Sequence, residues 1–174
     1  MDHADHVNLI RAGVEGAGPT WADLGAGSGA FTLALADILG PTGNITAIDR
    51  DASALKRNRE EMARRFPDVS VEYRVADFTR ALAIPPLDGI VMANSLHFQR
   101  DPLPVVERVR GYLRPGGRLV IVEYNIERGN YAVPHPVTYK RWQQLAHEAG
   151  FTTTELLARR PSRWLNEIYS ALSS

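Results

Sequence analysis

A glycine-rich turn carries the residue pattern in this chain that is best suited to ligand binding. It reads Asp23-Leu24-Gly25-Ala26-Gly27-Ser28-Gly29-Ala30 and lies between a short apolar stretch and a longer one. Glycine is used where a backbone turns sharply or closely approaches a ligand. A turn from strand to helix also directs backbone N–H groups and the positive end of a helix dipole at that ligand. With the carboxylate of Asp23 at its mouth, the turn predicts a nucleotide-like ligand.

Polar residues also follow the other strand-like stretches. Asp49, Asp77, Asn94 and Glu123 come at the ends of the second to fifth of these stretches. Because the carboxyl ends of parallel strands meet at one edge of a sheet, we expect these residues to gather near the glycine turn. A carboxylate in the position of Asp49 is a suitable acceptor for the two vicinal hydroxyls of a ribose.

The composition excludes several classes of site. The chain has no cysteine, so disulfides, thiolate metal sites and cysteine nucleophiles are ruled out. Its 20 basic and 20 acidic residues give a net charge of zero, which offers no electrostatic argument for nucleic acid or an anionic membrane. No apolar run approaches the ~20 residues of a membrane helix, and the polar N-terminus has no signal region. We expect a soluble cytoplasmic protein.

Strands alternate with helices along the chain, which predicts an α/β fold with a single domain over residues 1–174. The last two strands have no helix between them and should form an antiparallel hairpin at one edge. The sheet is thus expected to be doubly wound, seven-stranded and mostly parallel, with helices on both faces, as in Rossmann-like folds. Strands are predicted at 20–24, 44–49, 69–76, 89–93, 119–124, 151–160 and 165–172, and helices at 4–16, 31–39, 52–66, 105–113 and 139–149.

The motifs, taken in order, resemble those of class I methyltransferases that use S-adenosylmethionine, over residues from about 20 to 174. The fourth-strand motif is similar to that of the small-molecule members of this family. The five matching segments are the glycine turn, Asp49, Ala76-Asp77-Phe78, Asp88 to His97, and Leu113 to Leu119 with its Pro115-Gly116-Gly117 turn.

The resemblance implies an enzyme with S-adenosylmethionine as its cofactor. It places the methionine end at the glycine turn, the ribose at Asp49 and the adenine near Asp77. The residues expected to bind the cofactor are Asp23, Gly25, Ala26, Gly27, Asp49, Arg50, Ala76, Asp77, Phe78 and Asn94.

A nicotinamide dinucleotide is the competing ligand, because Gly25 to Ala30 also satisfies G-x-G-x-x-A and Asp49 follows at a fitting distance. Three features favour S-adenosylmethionine over an NAD(P)-dependent oxidoreductase. The carboxylate of Asp23 should repel a pyrophosphate, Pro115-Gly116-Gly117 fits the methyltransferase pattern, and the closing hairpin replaces the parallel sixth strand of a dinucleotide fold.

Methyl transfer depends mainly on alignment, and a general base is needed only when the nucleophile arrives protonated. His97 is the candidate base, with Glu123 beside the same cleft; for both, a structural role is the competing interpretation. Tyr124, Tyr131 and His135 are expected to contact substrate from the 125–137 region. No metal site is expected: His3 and His6 are interpreted as a solvated terminus. Trp142 and Trp164 are expected to pack in the core or at an edge.

The predicted substrate is a small molecule with an O, N or C nucleophile. The base-modifying nucleic-acid enzymes carry Asn/Asp-Pro-Pro-Tyr after strand four, whereas this chain has Asn94-Ser95-Leu96-His97. Few residues precede the glycine turn and no insertion separates strands four and five, so an enclosing lid is not expected. The 125–137 loop, a second subunit in a homodimer, or a larger exposed substrate would then complete the site. A non-catalytic cofactor-binding partner subunit stays open as a second function.

Overall fold

The computed structural model describes residues 1–162 and 165–174, without the side chain of Asn166. Trp164 lies outside the described residues. The helices are α1 (His3–Val14), α2 (Ala30–Leu39), α3 (Ala52–Arg65), α4 (Leu103–Arg110) and α5 (Tyr139–Glu148). The strands are β1 (Thr20–Leu24), β2 (Asn44–Asp49), β3 (Ser70–Val75), β4 (Leu87–Ala93), β5 (Leu113–Tyr124), β6 (Thr154–Ser162) and β7 (Asn166–Ser173).

The strands form one seven-stranded sheet in the order β3-β2-β1-β4-β5-β7-β6. β1 pairs in parallel with both β2 and β4, so the strand order reverses at β1 and opens a crevice at its carboxyl end. β7 runs antiparallel to β5 and to β6. This arrangement confirms the predicted fold, including the antiparallel pair at the edge.

Helices cover both faces of the sheet, as predicted. On one face, α1 and α2 pack over Trp21 and Val120, with Met62 of α3 in the same core. On the other face, α4 and α5 pack over Ile90 and Ile121, and Trp142 is fully buried there. In the part of the chain that the structure describes, no helix has the length and apolar character needed to span a membrane.

The fourth helix and fifth strand differ from the sequence-based prediction. Helix α4 ends at Arg110, and Leu113 pairs with Leu87 as the first residue of β5, instead of extending the helix. The Pro115-Gly116-Gly117 turn was expected before the fifth strand, but it is a bulge within β5, where the pairing shifts until Gly89 faces Arg118. Gly116 has a φ of 77°, which glycine adopts without strain. Leu113 was assigned to the helix because it continues the helical spacing of the apolar residues before it.

The two outer strands carry charged side chains. On β3, the Nε of Arg74 donates to the Oε1 of Glu72 at 2.8 Å. On β6, Arg159 and Arg160 precede Pro161, and Arg160 forms an ion pair with Asp5 of α1. This last contact fixes the N-terminal helix to the far edge of the sheet.

Candidate functional site

The glycine turn adopts a backbone that needs glycine. Gly25, Gly27 and Gly29 have φ values of 80°, 52° and 101°. A Cβ on Gly25 would lie 2.6 Å from the Cβ of Ser95, so that position has no room for a side chain. The N–H of Gly25 donates to the carbonyl of Ile48 at 2.9 Å, which anchors the turn to the end of β2.

Asp49 braces the turn from the neighbouring strand. Its Oδ2 accepts the N–H of Gly27 at 2.8 Å, and its Oδ1 accepts the N–H of Asp51 at 2.8 Å. Each carboxylate oxygen has a second lone pair, so Asp49 keeps capacity for further donors such as ribose hydroxyls. Asp51 instead caps α3 by accepting the N–H groups of Ser53 and Ala54.

Asp23 is buried beneath the turn, with 1% of its surface exposed. Its Oδ2 accepts the hydroxyl of Thr32 at 2.6 Å, and the Thr32 oxygen in turn accepts the Nδ2 of Asn58 at 2.8 Å. Burial raises the pKa of the Asp23 carboxyl to about 7; the hydrogen bond from Thr32 opposes this rise, and the nearby charge of Asp49 adds to it.

Two adjoining cavities open at this edge of the sheet. The larger has a volume of about 710 Å³, within the usual range for small-molecule sites. The smaller, of about 220 Å³, shares Gly25, Gly27 and Asn94 with it. The larger is otherwise lined by Asp49, Arg50, Asp51, Ala54, Ala76, Asp77, Phe78, Thr79, Ser95, Phe98 and Gln99, and the smaller by His6, Asp23, Ala26, Ser28, Ala30, Phe31 and Ala93.

The structure brings together every residue predicted to bind the cofactor. Asp23 and Ala26 line the smaller cavity, and the rest line the larger one or both. Asp77 accepts the N–H and hydroxyl of Thr79 through Oδ1, at 2.9 and 2.7 Å. These hydrogen bonds are the main reason that the pKa of Asp77 lies below its ordinary value. The binding roles themselves stay predictions.

Asn94 holds an unsatisfied acceptor between the two cavities. It has a φ of 49°, which is rare for a residue with a side chain. Its Oδ1 is buried and has no hydrogen-bond partner among the described residues. A buried polar atom without a partner is costly, so this oxygen is suited to a donor that a ligand would bring.

The structure also adds residues that the sequence analysis missed. Phe98 and Gln99 line the larger cavity because the 3₁₀ turn Leu96–Phe98 follows directly after Asn94 and Ser95. The interpretation of His3 and His6 as a solvated terminus is wrong. His3 bonds to Asp37 at 2.9 Å, and His6 is half-buried and lines the smaller cavity. The sequence signal for this placement was that His6 directly precedes the apolar residues of an amphipathic helix, which must pack against the rest of the chain.

His97 and Glu123 form a buried pair beside the cavities. The Nδ1 of His97 lies 2.6 Å from the Oε2 of Glu123. The Oε1 of Glu123 also accepts the N–H groups of Leu96 and His97, at 3.0 and 3.3 Å. Neither side chain lines either cavity. These contacts of Glu123 hold the Leu96–Phe98 turn in place. The catalytic roles expected of His97 and Glu123 stay predictions.

The three residues predicted to contact substrate lie apart from the two cavities. Tyr124 ends β5 and is half-buried, and burial raises the pKa of its hydroxyl. Tyr131 is 104% exposed on the 125–137 loop. The N–H of His135 donates to the carbonyl of His97 at 3.0 Å, which ties the loop to the turn beside the larger cavity. Among the described residues, no group of three or more His, Asp and Glu side chains is placed to hold a metal ion.

Comparisons with known proteins agree with this geometry. The sequence profile of a family described as "Methyltransferase domain" matches residues 17–164. The chain is 30% identical over 127 residues to the probable cobalt-precorrin-6B C(15)-methyltransferase (decarboxylating) of Thermoplasma volcanium, which covers 73% of this chain and 61% of that protein. The chain spans between 43% and 61% of the length of the curated relatives it matches.

Solved structures show the same fold at low sequence identity. The YcgJ protein of Bacillus subtilis matches 98% of this chain and 98% of its own, with a TM-score of 0.79 and 12% identity. Human N-acetylserotonin methyltransferase, solved in complex with S-adenosylmethionine, matches 98% of this chain and 50% of its own, with a TM-score of 0.71 and 19% identity. The chain therefore belongs to the methyltransferase domain family, which confirms the class I S-adenosylmethionine-dependent methyltransferase resemblance of its sequence motifs.

Proposed function

We propose that this protein transfers a methyl group from S-adenosylmethionine to an O, N or C nucleophile of a small molecule. The observation that carries the proposal is the pair of cavities around the glycine turn. They join carboxylates, a glycine-rich turn and an unpaired buried acceptor at one sheet edge. When bound, S-adenosylmethionine supplies a methyl group that its sulfonium activates toward nucleophilic displacement.

The larger cavity suits the adenosine part of this cofactor. Asp49 offers its remaining lone pairs to ribose hydroxyls while holding the turn through Gly27. Phe78 provides an apolar ring for the base, and Asp77 keeps its Oδ2 as an acceptor for an exocyclic amine, since the bonds from Thr79 use Oδ1.

The smaller cavity suits the methionine part. The unpaired Oδ1 of Asn94 would accept a proton of the ammonium group. The carboxyl of Asp23 lies in the same cavity, where its negative form would be favoured by a nearby positive charge. A pyrophosphate offers no donor to either group, so these residues fit a dinucleotide poorly.

We infer that alignment of the two substrates provides most of the rate enhancement. Holding a nucleophile in line with the methyl group lowers the barrier without a proton-transfer residue. His97 and Glu123 line neither cavity, so their pairing supports a positioning role through the turn that carries Phe98. Phe98 is 54% exposed at the cavity wall, which supports an acceptor with an apolar or aromatic surface.

The experiment has a binding arm and a turnover arm. Calorimetry with S-adenosylmethionine and with NAD(H) tests the ligand, and we expect binding of the first alone. Formation of S-adenosylhomocysteine is then measured across a panel of small phenols, amines and activated carbon acids. Binding of S-adenosylmethionine with no turnover on any acceptor would instead support a non-catalytic partner subunit. A cytoplasmic location, a homodimer and substrate contacts by Tyr124, Tyr131 and His135 stay predictions.

A further inference from the structure

The N-terminal helix brings an imidazole to the smaller cavity. His6 lies on α1, and its ring packs edge-on against that of Phe31 on α2, with the centroids 5.1 Å apart. His6 lines the cavity together with Asp23, Gly25 and Ser28. Because it comes from outside the glycine turn, it adds a polar group that the cofactor motifs do not contain.

The position of His6 is fixed by contacts on both sides along α1. Asp2 and Asp5 form a reciprocal capping box at the start of the helix. His3 bonds to Asp37 of α2 at 2.9 Å, and Asp5 pairs with Arg160 of β6. A half-buried ring held in this way loses little further freedom when it binds a ligand.

The smaller cavity contains both donors and acceptors. Asp23 and the unpaired Oδ1 of Asn94 are acceptors, as described above. Helix α2 begins at Ala30, which lines this cavity, with no side-chain cap and no acidic residue in its first turn. His6 adds a ring N–H donor, since a neutral imidazole always carries one. Such a mixed lining matches an amino-acid group that bears both an ammonium and a carboxylate.

We propose that His6 donates a hydrogen bond to the carboxylate of the methionine moiety of S-adenosylmethionine. This assignment rests on the proposed function and deepens it by naming a cofactor-binding residue outside the five sequence motifs. Burial is the main reason that the pKa of His6 lies below its ordinary value, and the positive charges of the N-terminus and His3 lower it further. A neutral imidazole still donates through its ring N–H.

The test compares two ligands that differ by one group. Calorimetry measures the Kd of S-adenosylmethionine and of decarboxylated S-adenosylmethionine, which lacks only the carboxylate. For His6→Phe, which keeps a ring against Phe31, we expect the Kd of S-adenosylmethionine to rise about tenfold. The Kd of the decarboxylated ligand should not change. His6→Gln, which keeps a donor, should recover part of the affinity.

Asn8→Ala is the control, since Asn8 is exposed on the same helix and lines neither cavity. Its Kd values for both ligands should equal those of the wild type. Equal weakening of both ligands by His6→Phe, or no weakening of either, would overturn the assignment while wild-type binding preserved the proposed function. Failure of the wild type to bind S-adenosylmethionine would overturn both.

Discussion

The charge of Asp23 is set by its burial beneath the glycine turn. Its only hydrogen-bond partner among the described side chains is the hydroxyl of Thr32, which is not enough to compensate a buried carboxylate. The pKa of about 7 means that folding and the ionisation of this residue are coupled.

We therefore predict a specific pH dependence for the free energy of unfolding. The folded pKa of Asp23 lies above the ordinary value of 3.8, so the native state holds an extra proton between these two values. The stability that Asp23 contributes in its protonated form is fully present below pH 3.8 and is lost as pH rises toward 7. Urea denaturation at several pH values should show this fall in the wild type, on the order of a few kcal/mol. Asp23→Asn should remove it, and parallel curves for the two proteins would contradict the assignment.

Gly25 provides a second prediction at the same scale. Gly25→Ala combines a positive φ with a Cβ only 2.6 Å from that of Ser95, so it should lower stability by more than the ~1–2 kcal/mol of left-handed strain alone. Gly16→Ala is the control, since Gly16 has a φ of 76° but open space around it. Calorimetry should show weaker S-adenosylmethionine binding for Gly25→Ala alone. Equal losses of stability in the two variants would argue against a crowded turn.

The turn after β4 depends on one buried carboxylate. Glu123→Ala would leave the N–H groups of Leu96 and His97 and the ring of His97 without their acceptor. Breaking a buried pair in this way is expected to cost about 3–5 kcal/mol, measured by denaturant unfolding. Glu123→Gln keeps an acceptor for the backbone and should cost clearly less. A small loss for Glu123→Ala would mean that the turn does not need this support.

The role of His97 can be separated from its packing by kinetics. His97→Gln keeps a polar side chain beside Glu123, and we expect it to retain most of kcat because the ring lines neither cavity. The measurement is kcat against pH on the acceptor found in the turnover panel. A loss of ~100-fold or more, with removal of one limb of the pH profile, would support the general base that the sequence predicted.

The sequence identifies the parts of this site that follow from chain order. Strand ends and glycine turns are local patterns, so the residues expected at the cofactor reach one edge. His6 and Phe98 were missed because their positions depend on how α1 packs on α2 and on the turn that Glu123 holds. The β5 bulge was missed because a register shift is set by the partner strand, and Leu113 fits a helical spacing equally well.

At the scale of the whole molecule, the N-terminal helix links the cofactor side to the antiparallel edge. Arg160→Met removes the ion pair with Asp5 while keeping an apolar stem. Both side chains are partly exposed, so the loss of stability should stay within about 1 kcal/mol. Hydrogen exchange should nevertheless quicken in the α1 amides and not in β1 or β4. A uniform change across the protein would show that the pair does not specifically anchor the helix.

The two outer strands have a consequence for how copies of this protein meet. An unpaired strand edge readily recruits another strand, and charged residues or proline oppose this. β3 presents the Glu72–Arg74 pair, and β6 presents two arginines followed by Pro161. A second sheet added at either edge would have to desolvate these charges. The protein should therefore resist aggregation through strand addition at high concentration.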